Sequence, residues 1–196
     1  MFERRLAGFL IAAALMPAAA FAQEESATYK NDVAVQAFGS FVKSTTQDTI
    51  RQSATNSGGV LASYRFFFDN HNGVEVNYGY ALNTQNYPAA GVNTYSHEAS
   101  AAYVFRIARR RWTFFALAGA GALVFDPKDF ASATTQTRAA GVYGAGADIN
   151  LSRHVFLRAE YRGLIYNSPT FSLTGLADAD RVTHRAEPSI GFGYRF

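Results

Sequence analysis

The sequence contains no cysteine, which excludes disulfides and thiolate metal centres. Proline is scarce, 5 in 196 residues, so little breaks long regular elements. Charge is thin: 18 Lys and Arg against 15 Asp and Glu leave a net +3. No long basic stretch interleaves with aromatics, and nucleic acid is not expected as a partner. The histidines at 71, 97, 154 and 184 are scattered outside any Asp/Glu cluster of ligand spacing, so no metal or other cofactor is expected. Beyond Gln23 no apolar run reaches 18 residues, hence no transmembrane helix is expected. What the chain has instead is 16 Gly, 11 Tyr and 17 Phe in a length suited to one domain. That mixture fits long strands joined by tight turns.

The first 22 residues read as a signal peptide. Arg4 and Arg5 precede an apolar stretch from Leu6 to Leu15, too short for a spanning helix. Ala20-Phe21-Ala22 then matches a small-x-small cleavage site, which places the mature start at Gln23 and one domain over 23–196.

Eight segments alternate with a period of two. In the first, Val33, Val35, Ala37, Gly39 and Phe41 oppose Ala34, Gln36, Phe38 and Ser40. In the second, Val60, Ala62, Tyr64, Phe66 and Phe68 oppose Ser63 and Arg65; in the third, Val74, Val76, Tyr78, Tyr80 and Leu82 oppose Glu75 and Asn77. The fourth sets Ala99, Ala101, Tyr103, Phe105 and Ile107 against Ser96, Glu98, Ser100 and Arg106. The fifth, Trp112 to Phe125, is apolar on both sides; Phe115, Leu117, Leu123 and Phe125 are assigned outward and Ala116, Ala118, Ala120 and Ala122 inward. The sixth opposes Tyr143, Ala145, Ala147, Ile149 and Leu151 to Asp148 and Asn150. The seventh opposes Val155, Leu157, Ala159, Tyr161 and Ile165 to Arg158, Glu160 and Arg162. The last opposes Ile190, Phe192, Tyr194 and Phe196 to Glu187, Ser189 and Arg195, with Pro188 predicting a bulge or a late strand start.

Connections alternate in length. Asp69 to Gly73, Ala108 to Arg111 and Ser152-Arg153 are tight, whereas 44–57, 84–94, 126–137 and 167–182 are long and rich in Ser, Thr, Asn, Gly and Pro. Short turns at one end and long loops at the other predict an all-β fold. It is an eight-stranded antiparallel transmembrane β-barrel with short periplasmic turns and four longer extracellular loops. Strands that alternate lipid-facing and interior residues also account for a mean hydropathy of only -0.08.

A soluble eight-stranded barrel would point its apolar face inward; a membrane barrel points it outward. The polar face holds Arg65, Glu75, Glu98, Arg106, Asp148, Arg158, Glu160, Arg162, Glu187 and Arg195, five acids and five bases. Solvated charges need no such match, but enclosed ones do, because unpaired buried charge is costly. Tyr64, Phe66, Phe68, Phe105, Tyr194 and Phe196 are expected to form a girdle at the short-turn end. Phe41, Tyr80, Tyr95, Phe125 and Tyr166 are expected to form the other. Both features favour the membrane.

The final alternation Gly191-Phe192-Gly193-Tyr194-Arg195-Phe196 resembles the C-terminal signature of outer-membrane barrels. Leu157 to Arg162 and the stretch from Trp112 through Ala122 resemble the seventh and fifth strands of the OmpA-like and opacity-protein superfamily. The resemblance implies that Phe192, Tyr194 and Phe196 form an assembly signal. It also implies contact with the barrel-assembly machinery and periplasmic chaperones, and then with outer-membrane lipid and lipopolysaccharide. OmpA continues into a peptidoglycan-binding domain where this sequence ends at Phe196, so that anchoring is not carried over.

Two functions stay open. One is a structural or adhesin-like protein acting through its loops on an unidentified surface ligand, with no open pore, since eight strands enclose room for little but side chains. The other is a lipid A-modifying enzyme. Only His154 has a serine two residues away, Ser152; that pair sits in a short turn away from the outer leaflet, and the His-x-Ser-Asn pattern of the lipid A deacylase is missing. No enzyme activity is therefore expected. Arg109-Arg110-Arg111 reads as a solvated turn, with anionic inner-leaflet headgroups as the other reading.

Overall fold

A computed structural model describes residues 29–42, 45–47, 50–54, 57–86, 91–127, 135–167 and 182–196. The signal peptide, with Ala20, Ala22 and Gln23, lies outside the described residues, as do parts of the four long connections. The strands are β1 Asn31–Val42, β2 Thr45–Gln47, β3 Ile50–Ala54, β4 Ser57–Phe67 and β5 Asn72–Asn86. They continue with β6 Gly91–Arg109, β7 Trp112–Pro127, β8 Gln136–Asn150, β9 Val155–Asn167 and β10 Val182–Arg195. β2 and β3 are short partners within the first long connection, and β3 touches β5 at Ser53 and Ala54.

The other eight strands form one closed antiparallel barrel in the order β1, β4, β5, β6, β7, β8, β9, β10, with β10 returning to β1. The register fixes its shape. Stepping sideways from Asn31 meets Phe66, Val74, Tyr103, Ala118, Tyr143, Gly163 and Ala186, and lands on Phe41. The circuit has climbed ten residues along β1. Eight strands with that stagger tilt by about 40° and enclose a backbone cylinder of radius about 8 Å. A cylinder that narrow is filled by side chains.

Each ladder keeps one register throughout, so no bulge occurs within the described pairings. This corrects the expectation at Pro188. β10 starts at Val182 rather than late, and Pro188 pairs with Tyr161 of β9 in unbroken register. Its missing N–H shows instead on the other side, where the β1–β10 ladder skips from Phe38↔Ser189 to Phe41↔Ala186. Several strands also run further than alternation alone marked, with β5 and β6 paired out to Asn86 and Gly91.

Between the same two strands a glycine is required by close approach. A Cβ on Gly191 would stand 2.0 Å from Val35 O and 2.4 Å from Gln36 Cα, both backbone atoms of β1. Neither can rotate away. Gly191→Ala is expected to lower stability by about 1–3 kcal/mol, as overpacking does, read as a lower urea midpoint in lipid vesicles; an unchanged midpoint would contradict the register described here.

Three short turns share one end with Tyr29, Lys30 and Phe196. In the β4–β5 turn the Asp69 carboxylate accepts the Asn72 side-chain amide at 2.8 Å and the backbone N–H groups of His71 and Asn72 at 2.7 Å each. Those donors, the Asn72 side chain first, hold its carboxyl below the usual carboxylate range. Ser152 Oγ accepts the Val155 N–H at 3.0 Å and closes the β8–β9 turn. The β6–β7 turn places Arg110 at φ 24°, on the left-handed side.

Candidate functional site

Alternate residues of all eight barrel strands point inward, and the tilted, staggered wall brings distant strands to the same level. Among the described residues, six acids and six arginines are buried there: Asp32, Glu75, Glu98, Asp148, Glu160 and Glu187 with Arg65, Arg106, Arg158, Arg162, Arg185 and Arg195. All ten charged residues singled out from sequence lie in this core. Asp32 and Arg185 are additions; each lies one alternation step beyond the segments drawn, and running the period further finds both.

Towards the short-turn end the network is closely paired. Arg158 donates to Asp148 through Nε at 2.7 Å and Nη2 at 3.0 Å, to Asp32 at 3.2 Å and to Ser63 Oγ at 3.3 Å. Arg195 adds a 2.9 Å bond to Asp148 and a 2.5 Å bond to Asn150 Oδ1. Arg106 donates to the carbonyls of Asn70 and Tyr29 and lies 3.4 Å above the Phe67 ring. Arg65 bonds Glu75 and approaches Glu160 at 3.4 Å.

Nearer the long-loop end the pairing loosens. Arg162 bonds Glu98 and Ser100, and Arg185 pairs with Glu187 and donates to Ser96. Arg162 Nε and Glu160 Oε1 stand 3.7 Å apart, beyond a direct hydrogen bond. Among the described residues, Glu98 Oε2, Glu187 Oε2, Arg162 Nη1 and Arg185 Nε are buried here without a hydrogen-bond partner.

The fifth segment, β7, faces opposite to expectation. Phe115, Leu117, Leu123 and Phe125 are buried inside, whereas Ala116, Ala118 and Ala120 are exposed outside and Ala122 is half-buried. The arginines explain the choice: the Arg65 guanidinium lies 3.9 Å and that of Arg158 5.2 Å from the Phe115 ring centre. Guanidinium planes stack on such faces, and Phe115 also covers Gly146, where a Cβ would meet its ring at 2.5 Å. Bilayer chains fill the space left by alanine on the outside. Phe125 and Tyr166 therefore belong to the interior, 5.9 Å apart between ring centres, and not to the long-loop girdle.

Tyr64, Phe66, Phe68, Phe105, Tyr194 and Phe196 do face outward at the short-turn end, joined by Trp112 and Phe114. Phe192, also outward, stands in the same strand. Phe41 and Tyr80 face outward at the far end, with Tyr95 stacked 5.7 Å from Tyr80. The histidines occupy this outer wall and the turns. His97 Nδ1 meets Tyr78 Oη at 2.8 Å, His184 Nε2 meets Tyr143 Oη at 2.7 Å, and His71 stacks on Phe105. His154 Nδ1 is bonded to the Arg195 carbonyl at 2.9 Å, while the Ser152 hydroxyl serves its own turn.

Comparison with known proteins places this geometry. A family profile described as outer membrane protein beta-barrel domain matches residues 8–196. No curated protein matches the chain. Among solved structures, Ail, the attachment invasion locus protein of Yersinia pestis, superposes with a TM-score of 0.57 at 20% identity, covering 87% of this chain and 100% of that one. Neisserial surface protein A gives 0.63 at 15% identity over 85% and 97% of the two chains. The outer membrane protein OprG from Pseudomonas aeruginosa gives 0.59 at 14% over 86% and 97%. At such identities the likeness is one of fold. With the profile spanning nearly its whole length, the chain belongs to the outer membrane protein beta-barrel family and is an eight-stranded barrel of the outer membrane.

Proposed function

We propose that this barrel is a non-enzymatic surface protein that binds an external ligand through its long loops, in the manner of an adhesin. The carrying observation is the filled interior: Arg158 and its partners, backed by Phe115 and Phe156, occupy the core of a cylinder too narrow for bulk solutes. With no passage through the core, the contact surface left to the outside is the loop end. Support for the ligand class comes from Ail, whose structure is known in complex with the heparin analogue sucrose octasulfate. A sulfated glycan is the first ligand to try.

Cells displaying the full chain should bind labelled heparin saturably, and shortening the 167–182 and 44–57 connections should reduce that binding several-fold. Heat-dependent gel mobility would verify that the shortened barrels still fold. Unchanged binding after all four connections are shortened would sink the loop reading. Mass spectrometry of lipid A from the same cells should give an unaltered profile; a changed acyl pattern would favour the enzymatic alternative.

A further inference from the structure

Three consecutive arginines occupy the β6–β7 turn, and the fold holds them on a fixed platform. The Asn150 N–H donates to the Arg111 carbonyl at 2.8 Å and Asn150 Nδ2 to the Arg110 carbonyl at 3.2 Å. Arg195 in turn donates to Asn150 Oδ1 from inside the barrel at 2.5 Å. Arg109 and Arg110 are both exposed at this corner of the rim. Among the described residues, the β6–β7 turn itself carries no acid.

Beside these cations the outer wall is aromatic. Arg109 pairs with Trp112 at the mouth of the hairpin. Trp112 and Phe114 face outward, stacked at 6.1 Å with their planes 7° apart. Trp is enriched at the membrane–water boundary, so the arginines lie at headgroup depth and the rings just inside it. Cations above and apolar rings below fit one molecule with a phosphate next to acyl chains.

We propose that the β6–β7 turn binds anionic phospholipid of the periplasm-facing leaflet, with Arg109 and Arg110 at the phosphate and Trp112 and Phe114 against the acyl chains. Guanidinium groups suit phosphate oxygens in pairs. An acidic periplasmic glycan would satisfy the charges but not the rings.

Trp112 is the sole tryptophan of the chain, so its fluorescence reports on this sector alone. The full membrane-inserted chain is reconstituted in phosphatidylcholine vesicles with either brominated phosphatidylglycerol or brominated phosphatidylcholine at equal fraction. The anionic lipid should quench Trp112 with a relative association constant of about 3–10, falling towards one in 0.5 M salt. The variant Arg109→Gln, Arg110→Asn, Arg111→Gln should abolish the preference, and Lys at all three positions should keep most of it. Asn is chosen at 110 because it tolerates the left-handed backbone there. If the uncharged variant fails to insert, the salt series and the Lys variant decide. Equal quenching by the two lipids in the native protein overturns the proposal. So does a preference that survives loss of the charges, or one that soluble acidic wall fragments displace.

Discussion

Replacing Arg158 by Ala is expected to cost about 3–5 kcal/mol of unfolding free energy, the range for removing one partner of a buried charge cluster. Arg158 is wholly buried and bonds Asp148 twice, Asp32 once and Ser63 once. Its guanidinium also lies 4.9 Å from the Phe156 ring centre and 5.2 Å from that of Phe115. Without it, Asp148 keeps Arg195, but Asp32 loses its ion-pair partner. Urea unfolding in lipid vesicles, followed by heat-dependent gel mobility, measures the loss. A second change, Asp32→Asn in the Arg158→Ala background, should recover part of it, because the orphaned carboxylate is then gone. A loss under about 0.5 kcal/mol for Arg158→Ala, the level of an exposed ion pair, would mean that water reaches the cluster freely.

The next residue along β9 tests the opposite face. Ala159→Arg should cost about 2–4 kcal/mol, because an arginine there stands in hydrocarbon near the bilayer midplane. Ala159 is exposed on the barrel exterior, between Ile190 of β10 and Ala147 of β8. Ala159→Leu, with the same outward direction and no charge, should be close to neutral. In detergent micelles the penalty for arginine should shrink, since the headgroups can move to meet it. Tolerance of arginine in vesicles would contradict the lipid-facing assignment. Two adjacent positions thus carry opposite sensitivities, one to losing a charge and one to gaining it.

The alternation that separates Arg158 from Ala159 is plain in the sequence wherever one face is polar, and seven of the eight barrel strands are faced as their pattern says. β7 is the failure, and the cause is physical. A strand with Phe and Leu on one side and Ala on the other carries no polarity difference, and lipid and core both accept apolar groups. Size decides instead: the interior has arginine planes and glycines to cover, and the bilayer has not. Thr113, buried on the same side as Phe115, was the one polar clue to the parity. Tyr166 was misplaced for another reason. It shares parity with Arg158 and Arg162, and only its nearness to a loop suggested a girdle. The pairing inside the core was not legible at all, because which arginine meets which acid depends on the ten-residue stagger, and no single strand encodes that.

β1 has β4 as a neighbour early in the chain, but Asp32 waits for Arg195 and Val42 for Arg185, almost the whole sequence later. Until β10 arrives, one edge of β1 holds a row of unanswered N–H and C=O groups. Such an edge is ruinous in hydrocarbon and sticky in water. The sheet cannot enter the bilayer strand by strand; insertion and closure have to coincide, with the open edge kept covered beforehand. The seam made at that last moment is also where Pro188 leaves rungs missing beside Gly39 and Ser40. The ladder is interrupted along the line where it was joined last, and a barrel that loosens is expected to part there first.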